Sequence, residues 1–207
     1  MTQHQITSVE ALRAITGDPA HELVVAKSAP SLTEAMRRFI ALSPFACLAS
    51  YGENGACDVS PRGDAPGFVH VLDDNTLVIP ERPGNKRLDS VTNIIQQPNM
   101  ALIFMIPGEK DTLRVNGKGA ISNDPELLQH FEVNGKLPEL VIVVSVEEAL
   151  GHCSKAFRRS KLWQSDYLPK EPVPSLTELM SGHLELDDGT KQMMDVAIED
   201  DAQNNLY

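Results

Sequence analysis

The feature that most constrains this chain is a succession of short apolar runs between positions 45 and 146, punctuated by turn residues. FACLASY (45–51) and ACDVS (56–60) flank Gly52, Glu53, Asn54 and Gly55, which read as a hairpin turn. GFVHVL (67–72) and TLVI (76–79) flank a second turn, Asp73-Asp74-Asn75. MALIFMI (100–106) is continuously apolar, fit for a buried strand. TLRV (112–115) leads through Asn116-Gly117 into GAI (119–121), and LVIVVSV (140–146) is the most β-branched run of all. Strands this short, at hairpin spacing and without regular long helices between them, argue against a doubly wound parallel sheet. They predict an antiparallel barrel, mainly β with α additions.

Helical patterns punctuate these strands. Thr7 and Glu10 form a capping box ahead of Leu12 and Ile15. Ser31 and Glu34 form a clearer one, with Leu32, Ala35, Met36, Phe39 and Ile40 on one face and Pro44 as the stop. Residues 86–95 read as a short helix ended before Pro98, and Asp124-Pro125-Glu126 supply cap, first-turn proline and first-turn acid to another. The pattern is helical again from 152, then a loop carrying Pro169, Pro172 and Pro174, then two capped helices near 175–181 and 190–201. The expected organisation is an N-terminal extension (1–30), a β domain (31–168) and an acidic helical tail (169–207).

Charge narrows the class of partner. Lysine and arginine total 18 against 29 acids, a net of −11. Residues 183–207 hold seven of those acids and one lysine, so the tail accounts for −6 and the remainder for −5. A generic nucleic-acid binder shows the opposite sign, and anionic membranes are disfavoured likewise. The three cysteines, Cys47, Cys57 and Cys153, form no C-x-x-C pair, which favours a reducing compartment. With no secretory signal or membrane-spanning run in view, the expectation is a soluble cytoplasmic protein.

Four blocks could carry chemistry. In DVSPRGDAPGF (58–68), Ser60, Pro61, Arg62 and Gly63 follow a strand; hydroxyl, backbone donors and guanidinium suit an anion or a heteroaromatic ring, and equally a solvated surface turn. In IPERPGNKRLDS (79–90), Arg82, Lys86 and Arg87 crowd together, with Asn85 at an expected helix start. Cations there oppose the helix dipole, so a bound anion is the favoured reading over a charged first turn. In TLRVNG (112–117), Thr112 and Arg114 project from one strand face, Leu113 and Val115 from the other, and Arg114 can pair with a carboxylate or a ligand. In HCSKAFRRSKLW (152–163), Lys155, Arg158, Arg159 and Lys161 cluster beside the only tryptophan, Trp163, as a ligand lid or as a helix docked on acidic surface. Cys153 beside His152 reads as a buried, inert thiol rather than a zinc ligand.

These four blocks, in this order, resemble the FMN-binding split-barrel proteins related to pyridoxamine 5′-phosphate oxidase, and most of all a subfamily of FMN-dependent flavoproteins of unassigned activity. The resemblance rests on SPF (43–45), DVSPRGDAPGFVHVLDD (58–74), TLVIPERPGNKRLDSVTNI (76–94), ALIFMIPG (101–108), TLRVNGKGAI (112–121) and HCSKAFRRSKLW (152–163). The oxidase's phosphate-binding Ser-Arg-Lys falls on Gly84-Asn85-Lys86, keeping only the lysine. Its strand lysine falls on Arg62, its tyrosine-threonine pair on Ile79-Pro80, and its flavin-side glutamine near Thr112. Its C-terminal arginine-histidine pattern has no counterpart, which points away from vitamin B6 oxidation.

The resemblance implies an antiparallel split barrel forming a homodimer, with FMN in the groove between subunits and runs 100–106 and 140–146 supplying barrel wall and interface. It implies that Lys86 and Arg62 hold the FMN phosphate with help from Asn85 and Arg87. Val59, Ser60, Ile79 and Pro80 would line the ring, and Thr112 or Arg114 would touch its polar edge. Lys155 and Trp163 would close over it from the partner chain. The expected activity is an oxidoreductase on a small organic substrate, with NADH, NADPH or oxygen as redox partner. A non-enzymatic flavin or electron-transfer protein and a haem-handling split barrel are the alternatives, and deazaflavin is the alternative cofactor.

Overall fold

The computed structural model describes residues 4–17, 22–164 and 171–207. The expected boundary at 168/169 and Pro169 lie outside them. Seven strands are present: β1 (Phe45–Tyr51), β2 (Cys57–Gly63), β3 (His70–Asp73), β4 (Thr76–Glu81), β5 (Asn99–Met105), β6 (Thr112–Ser122) and β7 (Leu140–His152). All pair antiparallel in one sheet, in the order β2-β1-β5-β6-β7-β4-β3. The two expected hairpins are β1–β2 and β3–β4. The expectation of a mainly β, antiparallel protein is met; β2 and β3 are the sheet's edges, and no pairing between them closes it among the described residues.

The sheet nevertheless wraps a single core. Ala46 and Leu48 of β1, Leu102 and Phe104 of β5, Leu113 and Val115 of β6, Ile142 and Val144 of β7, and Leu77 and Ile79 of β4 all join one buried cluster. Strand alternation produces this: β1 and β5 bury every second side chain. A helix, α3 (Glu34–Leu42), adds Ile40 to the same core. On the other face of β4 and β7, Val78 and Val141 pack on Phe131, covered by Leu127 and Leu128 of the short helix α5 (Pro125–Leu128), where Asp124 caps and Pro125 opens the helix as expected.

Several boundaries differ from expectation. The caps of α1 (Val9–Thr16) and α3 are Ser8 and Thr33 rather than Thr7 and Ser31; each is the hydroxyl residue immediately before its helix. β2 runs on through Pro61, Arg62 and Gly63 instead of stopping at Ser60. Pro61 fits because β2 is an edge strand and needs no ladder donor on its outer side. β3 begins only at His70. The segment 112–121 is one continuous strand with a bulge at Asn116-Gly117, and β7 continues to His152 to pair with its full length. The helix expected over 86–95 is α4 (Asp89–Gln96), so Asn85, Lys86 and Arg87 belong to the loop before it.

The seat of α4 matters for the site. It packs Val91 and Ile94 against the sheet, and Gly119 of β6 makes room: a Cβ there would lie 2.8 Å from Met100 Sδ and 2.9 Å from Ile94 Cγ2. Beyond β7 come α6 (Lys155–Ser160), α7 (Leu176–Leu184) and α8 (Asp188–Asn204). The first turn of α7 carries a full capping box of Ser175 and Glu178. At the other end Ala29 bridges to Ala149, so contacts with the sheet begin just upstream of residue 31. No helix among the described residues is long and apolar enough to cross a membrane.

Candidate functional site

A cleft of about 430 Å³ opens where β2, the end of β4 and the N-terminus of α4 meet. Strand alternation places Asp58, Ser60 and Arg62 on the α4 side of β2 and leaves Val59 turned away and exposed. The Ser90 hydroxyl, in the first turn of α4, lies 3.3 Å from both Asp58 Oδ2 and Ser60 Oγ. Arg62 donates from Nε to Ser60 Oγ at 3.1 Å and from a terminal nitrogen to Glu81 Oε2 at 2.5 Å. Both partners of that ion pair are only 15% exposed.

The loop between β4 and α4 forms the cleft's rim. Lys86 and Leu88 both adopt left-handed backbone, with φ of 57° and 55°, an uncommon state for side chains of this size. Leu88 occupies the N-cap position of α4 and supplies no side-chain cap. The first-turn amides of α4 are therefore left without the usual hydroxyl or carboxylate acceptor at the cap. The Arg87 amide donates to Asn85 Oδ1 at 3.0 Å, which fixes the loop with Asn85 in the cleft lining. The Arg87 guanidinium pairs with Asp89 at 2.8 Å, an exposed pair, and that partner raises its pKa further. The Lys86 ammonium makes no hydrogen bond or ion pair among the described residues.

The expected site residues separate into groups. Ser60, Pro61, Arg62, Pro80, Asn85 and Arg87 line the cleft together; Lys86 lines a neighbouring groove that shares Asn85 with it. Val59, Ile79, Thr112, Arg114, Lys155 and Trp163 line neither. Ile79 is fully buried in the core. Sequence reasoning missed Asp58, Glu81 and Ser90. The signal for Ser90 was the amphipathic start Asp89-Ser90-Val91, obscured by placing the helix start three residues early.

The remaining expected residues sit elsewhere on the sheet. Arg114 stands in a cross-strand row with Pro61, Cys47, Ile103 and Leu150, on the face opposite Leu113 and Val115. It pairs with Glu148 at 3.6 Å, yet its Nε is buried with no hydrogen-bond partner. Glu148 also accepts from Ser28 at 2.8 Å and Asn116 at 2.6 Å; the Ser28 bond leads in holding its carboxyl below the ordinary value. Trp163 donates Nε1 to the Glu109 carbonyl at 2.6 Å and packs beside Phe157 at 5.8 Å between ring centroids. Lys155 is exposed on α6. Cys153, expected to be buried, is exposed because β7 ends at His152 and α6 begins only at Lys155.

One histidine pair has a measurable consequence. His70 stacks on His130 at 4.4 Å, and Phe131 meets both edge-on. Burial, then the neighbouring His130, pushes the His70 pKa below its ordinary value. A depressed histidine pKa favours the neutral form in the fold. Its contribution is therefore complete above the unfolded value of about 6.5 and is lost as the pH falls through the lower folded value. The urea midpoint should fall as the pH drops below about 6.5, and His70→Gln should flatten that part of the profile. An unchanged slope in the variant would exclude this pair as the source.

A sequence model of the family described as pyridoxamine 5′-phosphate oxidase matches residues 32–153. No curated protein matches the chain. Among solved structures, a HupZ variant from Group A Streptococcus is 17% identical, covering 58% of this chain and 99% of its own at a TM-score of 0.49. A pyridoxamine 5′-phosphate oxidase-like protein from Lactobacillus delbrueckii is 22% identical, covering 59% and 95% at a TM-score of 0.46. An F420 reductase is 19% identical, covering 57% and 98% at a TM-score of 0.42.

Proposed function

Because this chain belongs to the pyridoxamine 5′-phosphate oxidase family, whose members usually bind a flavin, we propose that the β2–α4 cleft holds FMN and that the protein is an oxidoreductase acting on a small organic substrate. The observation that carries the reading is the uncapped N-terminus of α4, ringed by Ser60, Ser90, Asn85 and Arg87. Open first-turn amides, hydroxyls, an amide and a mobile guanidinium are the donor set a phosphate monoester needs.

The cleft has acids of its own. Asp58, Glu81 and Asp89 also line it, so its charge is not simply positive. Glu81 is spent on Arg62, which makes Arg62 a positioning group for β2 rather than the main phosphate ligand. Asp89 holds Arg87 only through an exposed pair, which a dianion can outcompete. Lys86 has no ion-pair partner among the described residues. The residues present therefore fit a phosphate at the loop 84–88 and the first turn of α4, with Lys86 and Arg87 as its cations. Ser60, Pro61 and Pro80 would stand along the ligand's flat portion.

When bound, FMN supplies hydride or single-electron transfer, and the chain supplies binding, orientation and charge. The outward face of β1 and β5 presents Cys47, Ala49, Ala101 and Ile103, half-buried and largely apolar. A second copy seated there would bring Arg114 to a subunit boundary, where the orphan Nε can donate to an acceptor on the ring's polar edge. Lys155 and Trp163 would close the site from the partner, and NADH or NADPH would serve as electron donor. The test is the absorbance spectrum of the purified protein with identification of the cofactor released on denaturation. FMN supports the reading; a deazaflavin, a Soret band or a colourless protein that fails to take up added FMN overturns it.

A further inference from the structure

We infer that the seat filled by Tyr207, in the wall of the groove between the loop 82–88 and the segment 136–140, is together with that groove a second ligand site, for a planar phenol carrying an anionic group, and that Tyr207 acts there as a built-in competitor. The groove has a volume of about 590 Å³, within the range of small-molecule sites, and lies across the β4–α4 loop from the cleft. Lys86, Lys136, Leu137, Pro138 and Leu140 supply much of its wall.

The seat of Tyr207 shows what the groove recognises. The phenol hydroxyl donates to Asp64 Oδ1 at 2.6 Å, the ring lies under the Arg82 guanidinium at 5.1 Å, and Lys136 Nζ donates to the Tyr207 carbonyl at 2.7 Å. That is a hydroxyl acceptor at one end, a cationic shelf in the middle and an ammonium at the other end. The shelf is rigid, because Arg82 is pinned by Asp64 at 2.7 Å and by the Phe131 carbonyl at 2.8 Å.

Asp64 has partners in the seat besides the phenol. The Asp64 side chain is 5% exposed and keeps the Ala65 amide and Arg82 as donors when the phenol leaves. Burial pushes the Asp64 carboxyl up, but hydrogen bonds from Tyr207, Ala65 and Arg82, with the Arg82 charge, outweigh it and hold the pKa below its ordinary value. At neutral pH it is therefore an acceptor that calls for a donor. Arg82 is paired with Asp64 and Glu81 with Arg62, which leaves Lys86 and Lys136 against Glu139 in the lining, so the balance favours an anion. Tyr207 is tethered through α8, which buries no side chain. A tethered group of this kind competes by effective concentration and yields to a free ligand that makes the same contacts.

The probe is 3-(4-hydroxyphenyl)propanoate, which has tyrosine's skeleton without its nitrogen, and the comparator is 3-phenylpropanoate. Both are titrated by calorimetry into the full chain, the Tyr207→Ala variant and the Tyr207→Phe variant. The phenol should bind Tyr207→Ala about tenfold more tightly than it binds the parent, and about tenfold more tightly than the comparator does. Lys136→Ala added to Tyr207→Ala should remove a similar factor. Tyr207→Phe keeps the ring and guards against a misfolded alanine variant; it should fall between parent and Tyr207→Ala. Equal binding of the two probes, or no gain on emptying the seat, overturns the inference. The titration needs no flavin, so its outcome is independent of the FMN reading.

Discussion

Gly117→Ala should lower stability by about 3 kcal/mol and the melting temperature by roughly 10 °C, although the substitution adds only one methyl group. A Cβ at Gly117 would sit 2.1 Å from the Ser145 carbonyl oxygen and 3.0 Å from its carbonyl carbon. Both are backbone atoms, so no side-chain rotation relieves the clash. The site is the bulge at which β6 and β7 shift register, between the Asn116–Glu148 and Gly117–Val146 pairs. These are the two longest strands of the sheet, and both donate to its single core. Moving one against the other disturbs Val115, Val144 and Val146 together. Gly151→Ala is the internal control: it lies on the same β7, its Cβ would meet nothing within 4 Å, and removing glycine's freedom from the unfolded chain slightly favours the fold. Thermal and urea unfolding of both variants would settle the matter; equal stability of Gly117→Ala and the parent would mean the bulge is not built as described.

The contrast between these glycines shows what the sequence could and could not disclose. Short apolar runs bounded by turn residues marked the strands, because most of them must send side chains into the core; β2, whose inner face carries Asp58, Ser60 and Arg62, was legible only from its hairpin with β1. FACLASY maps onto β1 residue for residue. Turn chemistry placed both hairpins, since Gly52–Gly55 and Asp73–Asn75 cannot continue a strand cheaply. The Asn116-Gly117 pair carries the same turn signature, yet here it marks a bulge, and only the register with Ser145 and Val146 tells the two apart. Charge clustering likewise found Arg62, Arg82, Lys86 and Arg87, but partner choice is a tertiary fact. That Arg62 goes to Glu81, nineteen residues away, and Arg82 to Asp64 depends on how β2, β4 and the segment after β2 converge. Ile79 is a different case: the resemblance puts it beside a ligand, and the fold buries it completely in the core, which the sequence position alone does not disclose. Tyr207 could not have been foreseen, because nothing local predicts a contact with Asp64 across 143 residues.

Lys86→Ala and Arg87→Ala should each weaken FMN binding about tenfold or more, while Arg62→Ala should act chiefly on stability. The division follows from who is already paired. Arg62 and Glu81 hold each other in a half-buried site, so deleting either leaves the other charge stranded, and the cost falls on the fold. Arg87 is free to exchange an exposed carboxylate for a phosphate, and the Lys86 ammonium has no partner to give up among the described residues. Both precede an α4 N-terminus whose cap position is filled by Leu88 without a side-chain acceptor, so their charges add to unanswered amides. Riboflavin, which lacks the phosphate, separates the two effects. In quenching titrations of flavin-free protein, the parent should prefer FMN over riboflavin strongly. Lys86→Ala and Arg87→Ala should each shrink that preference with riboflavin affinity nearly unchanged, and the double variant should nearly abolish it. Arg62→Ala should keep the preference but unfold at lower urea. A double variant that still discriminates between the two flavins would move the phosphate away from this loop, and with it the orientation proposed for the ring.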